Sequence, residues 1–390
     1  MDQRLSKGEG RLMGASRLEK PLSRRLPFAM ILLLGIVFLS SCAEASFPGL
    51  KPEERKAYAP HSSPREVRIL TINVWSGITY RGFFKMGRYP DNPKRRYELL
   101  VTEIRKLAPD IIAIQEANPL PYYAQRLAGA LDCRAIYRVA LGGIRFGPFG
   151  IPTNMREGGA ILVKKPWTIV DLGRKRLEGS GIATNWFCLH IGEITQAVLG
   201  RGVVNGKPLY VYGVHLHAGP FQGPALDEAM ERLSRKLPQE EVEDAKKGAE
   251  RDIERRKREI ANLMMFVERT LPAGMSAVIL GDFNTTVESG ELDPLLAGGN
   301  WVDTFRLKNP YDKGLTWDPS HNPNFRQKSV ASKPYDILNA YHDRHSYRID
   351  FILVSGNIPC DRILGSRVVL TPEDGFPVSD HYGVLTTLKW

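Results

Sequence analysis

The sequence predicts a layered α/β domain. Short apolar segments rich in β-branched residues recur along the chain, as strands require. Between them lie stretches whose apolar residues fall at helical spacing. With 390 residues, 43% hydrophobic and 25% charged, the composition is globular and large enough for one such domain.

The elements follow in order. Val67–Asn73, "VRILTIN", alternates as a strand. Tyr97, Leu100, Val101, Ile104 and Leu107 line one face of a helix that should stop before Pro109. "DIIAIQE" and "GGAILV" read as buried strands. "AVLGRGVVNGKPLYVYGVHL" predicts a hairpin turning at Asn205-Gly206, a dipeptide suited to a type I′ turn. Asp227 to Glu259 is dense in charge and reads as a solvated helical face. Ile260, Leu263, Met264, Val267 and Leu271 then mark a helix packed on the core. "AVILGD", "RIDFILVS" and "YGVLTTLKW" supply the last strands. No solenoid repeat is present.

The N-terminus is a separate matter. Arg24 and Arg25 precede the apolar run Leu26–Leu39, which has signal-peptide length. It ends in "LSSC", where Cys42 resembles the lipidated residue of a bacterial lipoprotein. Residues 1–41 are thus expected to be a lipoprotein signal and 42–66 a polar, proline-containing tether. Residues 67–390 are the expected catalytic domain, with a charged helical insertion at about 222–259. This places the mature protein in a bacterial cell envelope as a lipid-anchored monomer. The outer membrane is favoured because Ala43 follows the cysteine.

The whole chain carries a formal charge of +11. Without residues 1–41, which hold seven Lys/Arg and three Asp/Glu, the balance is +7. That suits an anionic partner without choosing among nucleic acid, phospholipid and small phosphoesters. Cys133, Cys188 and Cys360 lack metal-site spacing and are expected as buried thiols, with one disulfide as the alternative.

Several strands end in polar residues that a core strand does not need. "VILGDFN" ends on Asp282 and Asn284, "LTIN" on Asn73, "DIIAIQE" on Glu116, and "YGVHLHA" offers His215 and His217. "RIDFILVS" begins at Asp350, and "VSDHYG" supplies Asp380 and His381. Any one alone reads as turn, cap or ion-pair chemistry before it reads as catalytic. Together they form an oxygen-rich, His-containing set of the kind phosphoester hydrolysis uses. A hard cation takes carboxylate oxygens, a water needs a base, and phosphate charge needs fixed donors.

In order, Asn73, Glu116, "GDFN", "RIDFILVS" and "SDH" resemble the motifs of the endonuclease/exonuclease/phosphatase superfamily, the deoxyribonuclease-I-like fold. "REGGAILVKKP" (Arg156–Pro166) resembles a further stretch of that family. The resemblance implies a four-layered α/β sandwich, two stacked mixed β-sheets flanked by helices. It implies Mg²⁺, with Mn²⁺ as a substitute, on Glu116 with Asn73 beside it and Asp380 in support. It implies that Asp282 orients or deprotonates water, and that Asn284 holds phosphate and nucleophile. It also implies a His381–Asp350 pair and His215 near the leaving group, with Asp282 and His381 both candidate bases.

"HLHA" is similar to the sequence around a histidine in neutral sphingomyelinases. His217 is expected to face the other side of the strand or to shape the pocket. The expected substrate is therefore a sphingomyelin-like phospholipid or a nucleic acid, the latter making the protein a nuclease. Trp317, in the loop Gly314–Asn324, either packs or stacks on a substrate. No apolar hairpin for membrane insertion is legible. A catalytically inactive, lipid-anchored binding protein is the rival reading, and none of the motif residues it would lack is missing.

Overall fold

The computed structural model describes residues 66–76, 78–80, 86–88, 93–147, 149–151, 155–190, 192–325, 333–372 and 376–390. The signal segment, Cys42 and most of the expected tether lie outside these residues. Among the described residues no helix is long and apolar enough to cross a membrane.

Two six-stranded mixed sheets stack face to face. In the first, the order is Ile363–Val369, Gly383–Lys389, Glu66–Asn73, Ile111–Ala117, Glu157–Lys164, Cys133–Leu141. In the second it is Trp301–Asp303, Asp350–Ser355, Ser276–Asp282, Lys207–His215, Thr195–Val204, Thr168–Glu178. Each sheet contains one parallel pair, Glu66–Asn73 with Ile111–Ala117 and Lys207–His215 with Ser276–Asp282.

Period-two alternation explains the stacking. Val67, Ile69, Ile111, Ile161 and Val163 point inward from the first sheet and meet Val198, Val211, Val278, Leu280 and Ile352 of the second. The opposite faces are also apolar, so each is covered by helices. Leu70, Ile72, Ile112 and Leu162 pack against Tyr97, Leu100 and Ile104 of the helix Pro93–Leu107. Leu199, Tyr210, Tyr212 and Ile279 pack against Ile260, Leu263 and Phe266 of the helix Gln239–Thr270. Four layers result, and each fully buried large aliphatic side chain contributes about 1.5–3 kcal/mol by leaving water. The hairpin turns as expected: Asn205 (φ 49°) and Gly206 (φ 76°) both take positive φ.

Three expectations change. The charged stretch is not only a solvated face. Pro224–Ser234, the first half of Gln239–Thr270 and Pro334–His342 bury a cluster of their own, including Leu226, Leu233, Val242, Ile253 and Leu338. Its apolar residues are spaced among charges and partly alanine, which hides the stripe. Cys133 and Cys188 are buried free thiols, but the third, Cys360, is exposed. Finally, a four-stranded sheet of Ile182–Ala183, Phe187–Leu189, Ile144–Phe146 and Phe149–Ile151 leaves large apolar side chains in water. Its strands come from two distant segments, which meet only on folding.

Candidate active site

The site forms where strand ends of both sheets converge. Register puts His215 beside Asp282, and Asp282 beside Asp350, in neighbouring strands of the second sheet. Directly opposed residues share a face, so these three side chains stand in a row. Asn73 ends the Glu66–Asn73 strand of the first sheet. Its Nδ2 donates to Glu116 Oε1 (3.1 Å) and to Asp282 Oδ2 (3.1 Å), joining the two sheets.

Asp282 is nearly inaccessible, at 1% exposure. Its Oδ1 accepts from the Asn284 amide at 2.9 Å. Its Oδ2 faces Asn73, His215 Nε2 at 3.6 Å and His381 Nε2 at 3.8 Å. His381 Nδ1 is 3.0 Å from Asp350 Oδ2, and the Asp350 amide donates to Thr316 Oγ1 (3.1 Å). Burial disfavours charge on His381. Asp350 and then Asp282 outweigh it and hold the imidazole pKa well above its ordinary value. His215 is raised in the same way, burial opposing and Asp282 and Glu116 prevailing. Trp317 packs edge-on against the His381 ring (5.1 Å between centroids), with Nε1 donating to the Asp343 carbonyl.

Glu116 Oε2 accepts from the Ser76 amide (3.1 Å), and its residue sits at φ 55°. Asn284 sits at φ 51°. Left-handed backbone at non-glycine residues costs energy and clusters at functional sites. Asn284 Nδ2 donates to the Leu216 carbonyl (2.8 Å), while its Oδ1 has no partner among the described residues. Asp380 lies next to His381; burial raises its carboxyl, His381 opposes and Glu116 adds to the rise, giving about 7.

These donors fit a hard divalent cation. Glu116 and Asp380 are oxygen donors, and the Glu116 charge that raises the Asp380 carboxyl is a repulsion such an ion relieves. Asn73 turns its Nδ2 towards Glu116 while its Oδ1 accepts from the Trp75 amide (3.0 Å), so it orients Glu116. Asp282, Asp350 and His381 also bring one donor atom each within 4.8 Å of one another. That trio suits a cation less well, because His381 and Asp350 are already bonded to each other.

All eight expected site residues therefore meet in one cleft. Three more were not foreseen. Buried Glu157 is pushed up to about 8, by burial and then by Glu116. Arg96, also buried, donates to the carbonyls of Val74, Trp75 and Val378, clamping the loop after Asn73. Glu193 contacts the ring of His217, whose Nε2 is 2.9 Å from Asp252 Oδ1. His217 thus lies past the strand end in a carboxylate cluster of its own. The only signal for Glu157 was its place in "REGG"; Arg96 and Glu193 had none.

The sequence model of the endonuclease/exonuclease/phosphatase family matches residues 70–381. No curated protein sequence matches the chain. Among solved structures, truncated Caenorhabditis elegans TDP2 is similar with a TM-score of 0.50 and 14% identity, covering 83% of this chain and 98% of that one. D. rerio TDP2 complexed with single strand DNA product gives 0.49 and 15%, covering 83% and 98%. An endonuclease/exonuclease/phosphatase family protein from Leptotrichia buccalis gives 0.48 and 17%, covering 83% and 100%. At 14% identity the first of these likenesses speaks to the fold alone.

Proposed function

The chain belongs to the endonuclease/exonuclease/phosphatase family of metal-dependent phosphoester hydrolases, and from that premise we propose that it is a Mg²⁺-dependent phosphodiesterase. The observation that carries this reading is the convergence on Asp282. One buried carboxylate is held by Asn73, faced by two histidines, and linked through Asn73 to Glu116.

Glu116 and Asp380 would hold Mg²⁺ or Mn²⁺, with Asn73 fixing the Glu116 carboxylate, and the bound cation would supply positive charge to a phosphate oxygen. Asp282 orients a water through Oδ2 and takes its proton. His381 is the weaker candidate base, because its Nδ1 is engaged with Asp350 and the neighbouring carboxylates keep the ring charged. Charged His381 instead donates from Nε2 to a non-bridging phosphate oxygen. His215, raised by the same carboxylates, donates near the departing oxygen. Asn284 sets the water through Oδ1.

The substrate class is a phosphodiester, either a sphingomyelin-like headgroup or a nucleic acid. The "HLHA" likeness does not separate them, since the second histidine is engaged by Glu193 and Asp252.

Hydrolysis of bis(p-nitrophenyl) phosphate tests the reaction class. Glu116→Gln should lower the rate by at least ~10², with partial recovery at high Mg²⁺, because a hard cation loses its principal charge. Undiminished activity of the unsubstituted enzyme in chelator would refute the proposal.

A further inference from the structure

The small sheet beside the site has its polarity reversed. Cross-strand register places Leu189, Ile144 and Ile151 in one row, and Phe187, Phe146 and Phe149 in the next. Opposed residues share a face, so the six form one apolar array. Trp186 extends it, its ring 4.2 Å from that of Phe146. Phe149 is 77% exposed, Ile151 63% and Phe146 59%. The inner face carries Arg145, only 2% exposed, whose guanidinium donates to the carbonyls of Gly147 (2.8 Å), Thr184 (3.1 Å) and Asn185 (3.1 Å). A sheet facing water should alternate the other way, polar side out. A cation here pins the backbone from inside while aromatics face outward.

We propose that this face docks onto a lipid bilayer. Three observations select a bilayer over another partner. The first is charge. No acidic residue occurs from Leu141 to Arg156 or from Gly179 to His190, while Arg156 and exposed Arg176 flank the sheet. Arg176 Nη1 donates to the Gly181 carbonyl, at the sheet's edge. Of the flanking acids, Glu157 is buried and Glu178 is paired with Arg258, so apolar and aromatic side chains beside exposed Arg176 match an anionic membrane surface. The second is the chain outside the described residues. It carries the apolar run Leu26–Leu39 and the "LSSC" stretch, and the residues from Cys42 to Glu66 cannot span more than roughly 3.5 Å each, on the order of 85 Å in all. An anchor of that kind would hold the domain at a membrane surface. The third is continuity with the cleft. Ala117, next to Glu116, pairs with Gly158; Glu157 pairs with Leu141; and Leu141 leads into Ile144. Docking of the sheet brings the cleft to the membrane surface.

The test uses the whole chain with vesicles of phosphatidylcholine, with and without phosphatidylserine, brominated on the acyl chains. The chain's tryptophans are Trp75, Trp167, Trp186, Trp301, Trp317 and Trp390, so the N-terminal apolar run is silent in fluorescence. Brominated lipid should quench the protein, and Trp186→Phe should remove at least about half of that quenching. Phe146→Ser with Phe149→Ser should weaken the quenching isotherm at least ~10-fold, since two exposed rings no longer leave water on docking. It should leave melting temperature and bis(p-nitrophenyl) phosphate hydrolysis unchanged, which separates this proposal from the proposed reaction. Phosphatidylserine should strengthen binding, and salt should reverse that gain. Quenching that Trp186→Phe does not alter would overturn the proposal, as would a serine double variant that binds like the parent. A double variant that changes only the oligomeric state would assign the face to a second copy and equally overturn it.

Discussion

Gly281 shows how closely the site is built. A Cβ there would lie 1.9 Å from the Val214 carbonyl oxygen, and its φ is +150°. Only glycine lets the strand pass so close and still present Asp282 beside His215. Phe283 turns the other way, fully buried against Phe351 with ring centroids 5.4 Å apart. The His381–Asp350 pair acts as a unit, because the buried Asp350 carboxylate carries the counter-charge for the imidazolium. Removing either partner should therefore cost about as much as removing both. We expect His381→Gln and Asp350→Asn each to slow phosphodiester hydrolysis by at least ~10², and the double variant to be barely slower. A double variant whose loss is the product of the two singles would contradict this. At this scale the sequence was highly legible. "GDFN", "SDH" and "RID" each place a carboxylate, amide or imidazole at a strand end where burial alone gives no reason for it. Glu193 escaped because its role depends on helix Gln239–Thr270 crossing the sheet edge, which no local pattern encodes.

Strand register does the positioning at the next scale. His215, Asp282 and Asp350 are separated by long stretches of sequence yet adjacent because three strands stop at one level. Helix Gln239–Thr270 locks that level. Its Arg256, fully buried, pairs with buried Glu291 (2.7 Å) and donates to the carbonyls of His217, Gly219 and Pro220. Asp252 of the same helix meets His217, which also pairs with Glu193. Burial alone would lower the His217 pKa. Hydrogen bonds to Asp252 and Glu193 reverse that and raise it to about 9. A group raised above its unfolded value of about 6.5 stabilises the fold fully below that pH and loses the contribution as pH rises through 9. Melting temperature should fall between pH 6.5 and 9, and His217→Gln should be lower at pH 6 but lack most of that fall. A His217→Gln profile parallel to the parent's would show that the cluster is not charged. The charged character of this helix was legible. Its buried cluster was not, because Ala245, Ala249 and Gly248 hide a packing stripe among lysines and glutamates.

For the whole molecule, the four layers follow from apolar strands that bury both faces and so need cover on each. The layered α/β class was readable from the strand and helix patterns, and the four layers only from the family resemblance. The small apolar sheet was not readable, because Ile144–Ile151 is broken by Arg145, Gly147 and Gly150, and Ile182–Leu189 by Thr184 and Asn185, so neither short segment signals a surface. Such arrays exist only in three dimensions. The same holds for Arg96, which reaches Val378 across most of the sequence. The central claim is that both sheets deliver their strand ends to one hydrolytic centre around Asp282. Asp282→Asn tests it most directly, being nearly isosteric and removing one buried charge. The measurement is the rate of bis(p-nitrophenyl) phosphate hydrolysis in Mg²⁺, set against the melting temperature of the same preparation. The account predicts a rate at least ~10² lower with a melting temperature unchanged or raised. A variant that melts early while its folded fraction keeps full activity would make "GDFN" a structural turn and contradict the account.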